Sequence, residues 1–402
     1  MKLLYITEDR FPPFRADVVE LFAREMVLRG HTISWMMRRT PQSKSDPQVV
    51  RWNDCDVYLS PMVQRTGSLG RLLNFACSIW GDLRLISLAF RLRPDVIQVR
   101  DRFVVSIVAW LASRMIGAKF YYWMSYPYAE SKLDQAKNGF VPSPILTSLK
   151  GRAIGLVLYR LVLPLADHIF VQSQRMLEDV AREGVSPEKM TPVPMGIRED
   201  QVGSAEEARE PNTESPLLLY LGILLRLRQT EMLVRVLALV RKKYPLARLR
   251  YVGDGPHASD RQAILDEAIK LGLEQAVEVT GFLPMEEAWK HVKMADICFS
   301  PFYPIPVLES TSPTKLIEYL AMAKCVVANH HPEQTFVMAQ SGVGRTVDWD
   351  ETEFADEVVR LLDNPDTARA AASQGPGYVR AHRTYRVIAE ALHLKYVALL
   401  AH

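Results

Sequence analysis

Residues 312–321, Ser-Pro-Thr-Lys-Leu-Ile-Glu-Tyr-Leu-Ala, contain the residue types that could bind a nucleotide diphosphate. Ser-Pro is typical of an N-cap followed by a first helical turn. The next three residues then leave backbone N–H groups free at a helix start, where an anion binds well: Thr314, Lys315 and Leu316. Lys315 adds a positive charge, and Glu318, about one turn further on, could accept hydrogen bonds from a diol. An ordinary capped, half-buried helix that leads into a strand would show the same pattern.

The length and composition are those of a globular protein with two domains. A chain of 402 residues is too long for one ordinary core, and 48% of its residues are hydrophobic and 24% charged. The net charge of +3 gives no sign of a surface that binds nucleic acid. The scattered cysteines favour a reducing compartment and argue against a disulfide framework or a zinc site: Cys55, Cys77, Cys298 and Cys325.

Two segments combine apolar and basic residues in a way that suits the surface of an anionic membrane. Both are apolar, but Asp82, Arg84 and Arg91 interrupt residues 72–92, and Lys150, Arg152 and Arg160 interrupt residues 142–165. Neither reaches the ~20 uninterrupted apolar residues of a membrane span. A pair of core helices with solvated charges is the alternative. We expect residues 1–6 to form a strand rather than a signal peptide, because polar residues follow at once.

Strand patterns alternate with helical patterns in both halves of the chain. Predicted strands lie at 3–7, 31–37, 95–99, 119–124 and 166–171, and again at 217–221, 247–252, 277–280, 297–300 and 325–328. Two such series predict an α/β protein with two Rossmann-like, doubly wound parallel sheets, and a ligand in the cleft between them. We predict an N-terminal domain at 1–200, a linker at 199–215 and a C-terminal domain at 201–383. The last helix, at 384–402, could pack on either domain.

These features together resemble a retaining glycosyltransferase of the GT-B fold, and in particular glycosyltransferase family 4. Besides 312–321, the resemblance rests on Tyr220-Leu221-Gly222 with Arg226-Leu227-Arg228, on Val252-Gly253-Asp254-Gly255-Pro256, on 295–301 and on Val193-Pro194-Met195-Gly196-Ile197. It covers nearly the whole chain and is specific in the second domain and weak in the first. It implies an acceptor-binding N-terminal domain and a C-terminal domain that binds a nucleotide sugar.

The resemblance assigns the donor site to residues of the second domain. Arg228 takes the place of the family's diphosphate-binding lysine, with Arg226 as its helper, and the arginine fork suits phosphate oxygens. A solvated basic loop is the alternative for this pair. Glu318 takes the place of the glutamate that holds the donor ribose, with an ordinary helix-face carboxylate as the alternative. Gly222 and Gly253 lie in loops that resemble the family's donor-binding loops.

The chain departs from the family's pattern near the transferred sugar. The family's first glutamate lies eight positions before the second, where this chain has Ser310, and Glu309 is one residue away. One of these two side chains would face the sugar. The family's histidine after the strand 119–124 is replaced by Ser125, which could bond to the sugar through its hydroxyl or its backbone carbonyl. Glu333 is a further candidate for facing the cleft.

Three further groups of residues have alternative interpretations. The turn after the first strand lacks the family's glycines, so Arg15 would supply charge to the donor phosphate, unless it is an ordinary surface residue. Arg100 and Asp101 are candidates for acceptor binding, or they form an ion pair at the end of a strand. The adjacent His330 and His331 would point to opposite sides of an extended segment, so we expect no shared metal.

The resemblance implies sugar transfer from a nucleotide-diphosphate sugar with retention of configuration, and no metal or other cofactor. The acceptor would be a glycan, and the basic-apolar segments favour a lipid-linked one, used in the assembly of bacterial surface polysaccharide. We expect a cytoplasmic protein that contacts the inner face of the cell membrane. Two alternatives stay open: a sugar-nucleotide epimerase of the GT-B fold, and a catalytically silent GT-B subunit that binds a partner enzyme.

Overall fold

The computed structural model describes residues 1–40, 48–60, 67–139 and 141–401, with only the helical backbone for 67–79. Contacts within the chain divide it into two compact units, one formed by Met1–Pro194 with Ile388–His402 and the other by Met195–Val387. The division falls a few residues before the predicted domain boundary at 200. Each unit is an α/β structure around a largely parallel sheet, which confirms the predicted fold class.

The first unit contains an eight-stranded sheet in the order β3-β4-β2-β1-β5-β6-β7-β8. All neighbours are parallel except β3 and β4. The strands are β1 (Lys2–Arg10), β2 (Thr32–Arg38), β3 (Val49–Trp52), β4 (Cys55–Leu59), β5 (Val96–Arg100), β6 (Lys119–Met124), β7 (His168–Val171) and β8 (Met190–Pro192). Helices cover both faces, and the central strands are therefore buried along nearly their whole length rather than at alternate residues.

Most connections between these strands are helical. The helices are α1 (Gly67–Leu92), α2 (Phe103–Ile116), α3 (Tyr128–Lys137), α4 (Pro144–Val157), α5 (Leu163–Leu165) and α6 (Gln174–Arg182), with π-type turns at Asp17–Met26 and Leu158–Val162 and a 3₁₀ turn at Pro187–Lys189. The last helix, α16 (Tyr385–Leu400), joins this unit from Ile388 onward. Its Tyr396 is buried and donates a hydrogen bond to Gln98 of β5.

The second unit contains a six-stranded parallel sheet in the order β11-β10-β9-β12-β13-β14. Its strands are β9 (Leu217–Leu221), β10 (Arg248–Val252), β11 (Val277–Val279), β12 (Ile297–Ser300), β13 (Cys325–Asn329) and β14 (Thr346–Val347). Its helices are α7 (Met232–Val240), α8 (Ala258–Lys270), α9 (Met285–Met294), α10 (Pro306–Glu309), α11 (Thr314–Ala321), α12 (Pro332–Ser341), α13 (Glu351–Asp363), α14 (Pro365–Ala372) and α15 (Gly375–His382), with a 3₁₀ turn at Arg226–Arg228.

The segment 199–215, predicted as a linker, begins instead as part of the second unit. Two 3₁₀ turns occupy Glu199–Gln201 and Ala205–Glu207. Between them the Gly203 N–H donates to the Ala321 carbonyl at 2.8 Å, and the Arg380 guanidinium donates to the Gly203 carbonyl at 2.8 Å. These hydrogen bonds hold the segment to the end of α11 and to α15. A segment without hydrophobic periodicity can thus be held in place by hydrogen bonds to distant helices.

None of the helices in the described ranges is both long and apolar enough to cross a bilayer. The apolar-basic segments predicted at 72–92 and 142–165 correspond to α1 and to the run from α4 to α5.

Candidate functional site

In each sheet the order of the strands along the chain reverses at one point, and the candidate residues lie near that point. In the second unit the chain moves outward from β9 to β10 and β11, and then from β12 to β13 and β14 on the other side. In the first unit the corresponding point lies between β1 and β5. At such a switch point the loops after neighbouring strands separate and leave a crevice at their carboxyl ends, where ligands bind in doubly wound sheets.

Gly222 and Gly253 hold the loops after β9 and β10 against each other. Their φ angles are +143° and +146°, and a Cβ on Gly253 would lie 2.1 Å from the Gly222 carbonyl oxygen. The Gly222 N–H donates to the Val252 carbonyl at 3.0 Å, and the Leu224 N–H donates to the Asp254 carbonyl at 3.0 Å. Only glycine fits this approach, so both residues shape the backbone of the crevice.

Replacing Gly253 with alanine should therefore destabilise the second unit strongly. We expect Gly253→Ala to lower the free energy of unfolding by roughly 2–4 kcal/mol, because backbone must move to remove the clash. The matched control is Gly272→Ala, since Gly272 also has a positive φ (+67°) but has nothing within 4 Å of its Cβ position. This control should cost about 1–2 kcal/mol. If urea unfolding shows the same loss of free energy of unfolding for both variants, the close approach of Gly253 to Gly222 does not account for the effect.

Three side chains converge beside Gly222 and form what we call the basic cluster: Tyr220, Arg228 and Lys315. The Cβ position of Gly222 is 3.4 Å from Tyr220 Oη, 3.5 Å from Lys315 Cε and 3.6 Å from Arg228 Nη1. Arg228 Nη1 donates to Tyr220 Oη at 3.4 Å. Two cations thus meet at a glycine, where a ligand can approach the backbone closely.

The two basic side chains of the cluster form no ion pair with a residue that the structure describes. Arg228 Nε is buried and has no hydrogen-bond partner among the residues that the structure describes. Lys315 is only 7% exposed, and its Nζ lies 4.3 Å from the centre of the Phe302 ring. Burial, together with the charge of Arg228, lowers the pKa of Lys315 well below its ordinary value, and Glu318 opposes this shift. An anion bound here would satisfy Arg228 Nε and restore the charge of Lys315.

Helix α11 begins without a side-chain cap, which corrects the predicted role of Ser312. The first helical residue is Thr314, preceded by Pro313, and no side chain caps the helix. The Ser312 hydroxyl instead accepts a hydrogen bond from the Met195 N–H at 2.9 Å and donates to Glu333 at 2.8 Å. The predicted N-cap role of Ser312 is therefore wrong, and the N–H groups of Thr314, Lys315 and Leu316 stay candidates for binding an anion.

Glu318 lies one turn into α11, on the same helix as Lys315. Its side chain is half-buried. Burial raises the pKa of Glu318 to about 7, and Lys315 opposes the shift. Hydroxyl donors favour the ionised form of a carboxyl group. A diol that bonded to Glu318 would therefore lower this pKa again.

The other residues predicted for the site of the sugar donor lie outside the basic cluster. Arg226 is exposed on the same 3₁₀ turn as Arg228, about 240° around it, so the two side chains point apart. Ser310 is 3% exposed and its hydroxyl donates to the Pro306 carbonyl at 3.1 Å. Glu309, the last residue of α10, is half-buried and is the more accessible of the two.

Glu333 forms a buried ion pair that sequence reasoning missed. Arg383 Nη1 lies 3.0 Å from Glu333 Oε1, and both side chains are less than one-tenth exposed. Burial raises the pKa of Glu333, while Arg383 and Ser312 lower it. The pair therefore holds Ser312, two residues before α11. Arg383 follows α15, more than sixty residues from the motif, so local patterns gave no signal for it.

At the switch point of the first unit, three aspartates surround the buried Arg100. The Arg100 guanidinium is 2% exposed and lies 2.9 Å from Asp17, 3.5 Å from Asp101 and 4.0 Å from Asp9. Burial disfavours its charge, but Asp17, Asp101 and Asp9 outweigh this and raise its pKa. Arg100 thus forms ion pairs at the end of β5, which confirms the ion-pair interpretation of its side chain.

Ser125 and Arg15 contact two different aspartates of this cluster. The Ser125 N–H donates to Asp101 Oδ1 at 2.9 Å, and the Ser125 hydroxyl also donates to Asp101. The hydroxyl proton is therefore committed to Asp101, and Ser125 is only 4% exposed. Arg15 Nε lies 3.0 Å from Asp9, and its side chain is 38% exposed, so it presents charge to solvent.

The adjacent histidines have separate partners, as the extended geometry predicts. His331 is buried, with Nε2 3.0 Å from the Leu308 carbonyl. His330 Nδ1 lies 2.7 Å from Thr346 Oγ1. Within the described part of the chain, no three histidine, cysteine or acidic side chains come together as a metal site would require.

Models of two glycosyltransferase domains match the chain, one in each unit. Residues 16–196 match the glycosyl transferase 4-like domain, and residues 215–364 match the glycosyl transferases group 1 domain. No curated protein matches the chain by sequence.

Solved structures with the same fold cover nearly the whole chain. Sucrose-phosphate synthase from Thermosynechococcus elongatus has 18% identity and a TM-score of 0.73 over 100% of both chains. Anabaena HepE, solved with UDP and glucose, has 14% identity and a TM-score of 0.69, covering 99% of this chain and 100% of its own. WaaG, a glycosyltransferase involved in lipopolysaccharide biosynthesis, has 14% identity and a TM-score of 0.67, covering 97% of this chain and 99% of its own. With both domain models matched and the fold shared, the chain is a glycosyltransferase of the GT-B fold that resembles glycosyltransferase family 4.

Proposed function

We propose that the protein transfers a sugar from a nucleotide-diphosphate sugar with retention of configuration, and that the second unit binds the donor. The observation that carries the proposal is the basic cluster, where the unpartnered Arg228 Nε and the buried Lys315 lie beside the uncapped start of α11. HepE, which has the same fold, was solved with UDP and with UDP-glucose. A diphosphate carries negative charge and oxygen atoms that accept hydrogen bonds, so it could pair with the basic side chains of this cluster.

The proposed chemistry stabilises negative charge on the leaving diphosphate. The bond between the sugar C1 and the diphosphate oxygen breaks, and the acceptor hydroxyl oxygen bonds to C1 on the same face. The acceptor proton passes to the departing phosphate oxygen. Arg228, Lys315 and the first N–H groups of α11 hold the charge that develops, and one preorganised donor of this kind is often worth about 3 kcal/mol. We propose that these groups act without a metal or other cofactor.

In this proposal Glu318 accepts hydrogen bonds from the donor ribose. The carboxyl lies one turn beyond the N–H groups that bind phosphate, which is the separation expected between the phosphate and the ribose of one nucleotide. Glu309 faces the transferred sugar, because the Ser310 hydroxyl is held by the Pro306 carbonyl. For the first unit, Ser125 and Arg15 stay predictions from the resemblance: a hydrogen bond to the sugar for Ser125 and a charge for the donor phosphate for Arg15.

We further propose a lipid-linked glycan as the acceptor, in the assembly of a bacterial surface polysaccharide at the inner face of the cell membrane. The first unit would bind it. Two proteins with the same fold support this class of acceptor: WaaG, and WaaB, a lipopolysaccharide outer core galactosyltransferase. The apolar-basic helices of the first unit are a second, independent reason to place the protein at a membrane.

A donor screen tests the proposal. Purified protein is heated with UDP-, GDP-, ADP- and dTDP-sugars, and one donor should raise the melting temperature. Proton NMR of the first sugar released from that donor should show the same anomer as the donor. Release of the opposite anomer would exclude retention, and the absence of a shift with every donor would favour the silent-subunit alternative.

A further inference from the structure

Exposed apolar side chains are concentrated on three helices of the first unit that pack against one another. Helix α1 packs on α2, and α2 packs on α4. Trp80 of α1 is 64% exposed, Val104 of α2 is 74% exposed, and Ile145 of α4 is 80% exposed. Such a concentration is unusual on a soluble protein surface, where exposed apolar residues are normally scattered singly.

Helix α4 carries the clearest part of this surface. Ile145, Leu149 and Leu156 are 80%, 57% and 64% exposed, and at about 100° per residue they fall within one narrow stripe of the helix. The opposite side of α4 is held by α3: a Cβ on Gly151 would lie 3.1 Å from the Ala129 carbonyl oxygen. This close packing fixes the rotation of α4, so the apolar stripe faces solvent because of the packing and not by chance.

The charges along α4 and the turn that follows it have one sign. Lys150, Arg152 and Arg160 are exposed, and residues 141–166 contain no aspartate or glutamate. None of the three forms an ion pair with a residue in the described ranges, whereas the exposed Arg114 of the same unit pairs with Asp167. An apolar stripe flanked by unpaired basic groups complements a surface that is apolar inside and anionic outside.

We propose that α4 docks the first unit on an anionic lipid bilayer, with the stripe defined by Ile145, Leu149 and Leu156 in the interface and Lys150 and Arg152 on the headgroups. Helix α4 has 14 residues and is about 21 Å long, so it lies along the interface and does not span it. A second copy of the chain fits less well, because a symmetric pair would place the same basic groups against one another. This inference rests on the proposed function only in one respect: the lipid-linked acceptor would explain why the protein docks on a membrane.

Vesicle sedimentation of the full chain tests the docking surface. We compare vesicles of phosphatidylcholine with vesicles of equal parts phosphatidylglycerol and phosphatidylcholine, without donor or acceptor. The protein should bind the anionic vesicles, and added salt should weaken binding. The double variant Lys150→Gln, Arg152→Gln should lower the partition coefficient about 30-fold, since each basic group near an anionic surface contributes about fivefold.

The apolar part is tested by Ile145→Ser, Leu149→Ser and Leu156→Ser together. This triple variant should lose vesicle binding while its circular dichroism and melting temperature stay close to wild type, because the three side chains are exposed. The matched control is Leu246→Ser with Ile269→Ser on the second unit, both 63% exposed in the wild type, which should bind as wild type does.

Three results would overturn the docking proposal. They are no binding to anionic vesicles, equal binding by the triple variant, and concentration-dependent dimerisation in the absence of vesicles that the triple variant abolishes. The last would assign the stripe to a second copy. Because the assay contains no donor, its failure together with a normal donor-induced melting shift would leave the proposed function intact.

Discussion

Replacing Arg228 with alanine should reduce kcat/KM for the nucleotide-sugar donor by about 10²–10³-fold. The guanidinium is half-buried, and its Nε has no hydrogen-bond partner in the described structure. A charge that develops on the leaving diphosphate would meet this partly buried group, and a fixed donor is worth more there than in bulk water. Steady-state kinetics with the donor identified in the thermal screen measure the effect.

Two matched variants separate the effect of the position of the Arg228 side chain on kcat/KM from the effect of its charge. Arg226→Ala removes the same charge from the same turn, but its side chain is exposed and points away, so the loss should stay below about tenfold. Arg228→Lys should recover part of the activity, because it keeps a cation and loses the fork that binds two phosphate oxygens. Equal losses in Arg228→Ala and Arg226→Ala would contradict the assigned role of Arg228.

The second large effect concerns Glu318, whose ionisation should control donor use near neutral pH. Burial raises its pKa to about 7, so the carboxyl is mostly protonated below that pH and mostly ionised above it. If the ionised form accepts hydrogen bonds from the donor, kcat/KM should rise with pH, about tenfold per unit below pH 7, and level off above it. The Glu318→Gln variant should lose this rise and fall about 10²-fold below wild type at pH 8.

The control for this profile is Glu274→Gln, which changes an exposed carboxylate of the same unit. Its pH profile should coincide with that of wild type. A wild-type profile that stays flat from pH 5.5 to 8, or a Glu318→Gln profile with the same rise, would exclude Glu318 as the group that titrates. Lys315, whose pKa is lowered by burial, would act in the opposite direction, because it loses its charge as the pH rises.

The regular part of the fold could be predicted from the sequence because burial on both faces leaves a strong local signal. All ten predicted strands are present, since central parallel strands are continuous apolar runs. The edge hairpin of β3 and β4 was missed, because its short strands are partly exposed and carry charged residues. Its turn at Asn53 and Asp54 has φ angles of 46° and 59°, so the Asn-Asp pair was the signal available.

The parts of the candidate site that depend on local backbone geometry could be predicted from the sequence. The parts that depend on contacts between distant side chains could not. Helix α11 and the glycines Gly222 and Gly253 follow from local residue types. The engagement of Ser312 by Met195 and Glu333 could not be read from the motif, because both partners come from other parts of the chain. For the same reason the sequence left open whether Arg100 binds an acceptor or forms an ion pair, which its burial among three aspartates answers.

The central claim is that the basic cluster binds the donor's diphosphate, and titration calorimetry tests it most directly. The dissociation constants of a nucleoside diphosphate and of the matching monophosphate are measured for wild type and for Arg228→Ala. Wild type should bind the diphosphate more tightly, and Arg228→Ala should lose most of that difference while binding the monophosphate almost as wild type does. If Arg228→Ala keeps the full preference for the diphosphate, the terminal phosphate lies elsewhere and the account of this site is wrong.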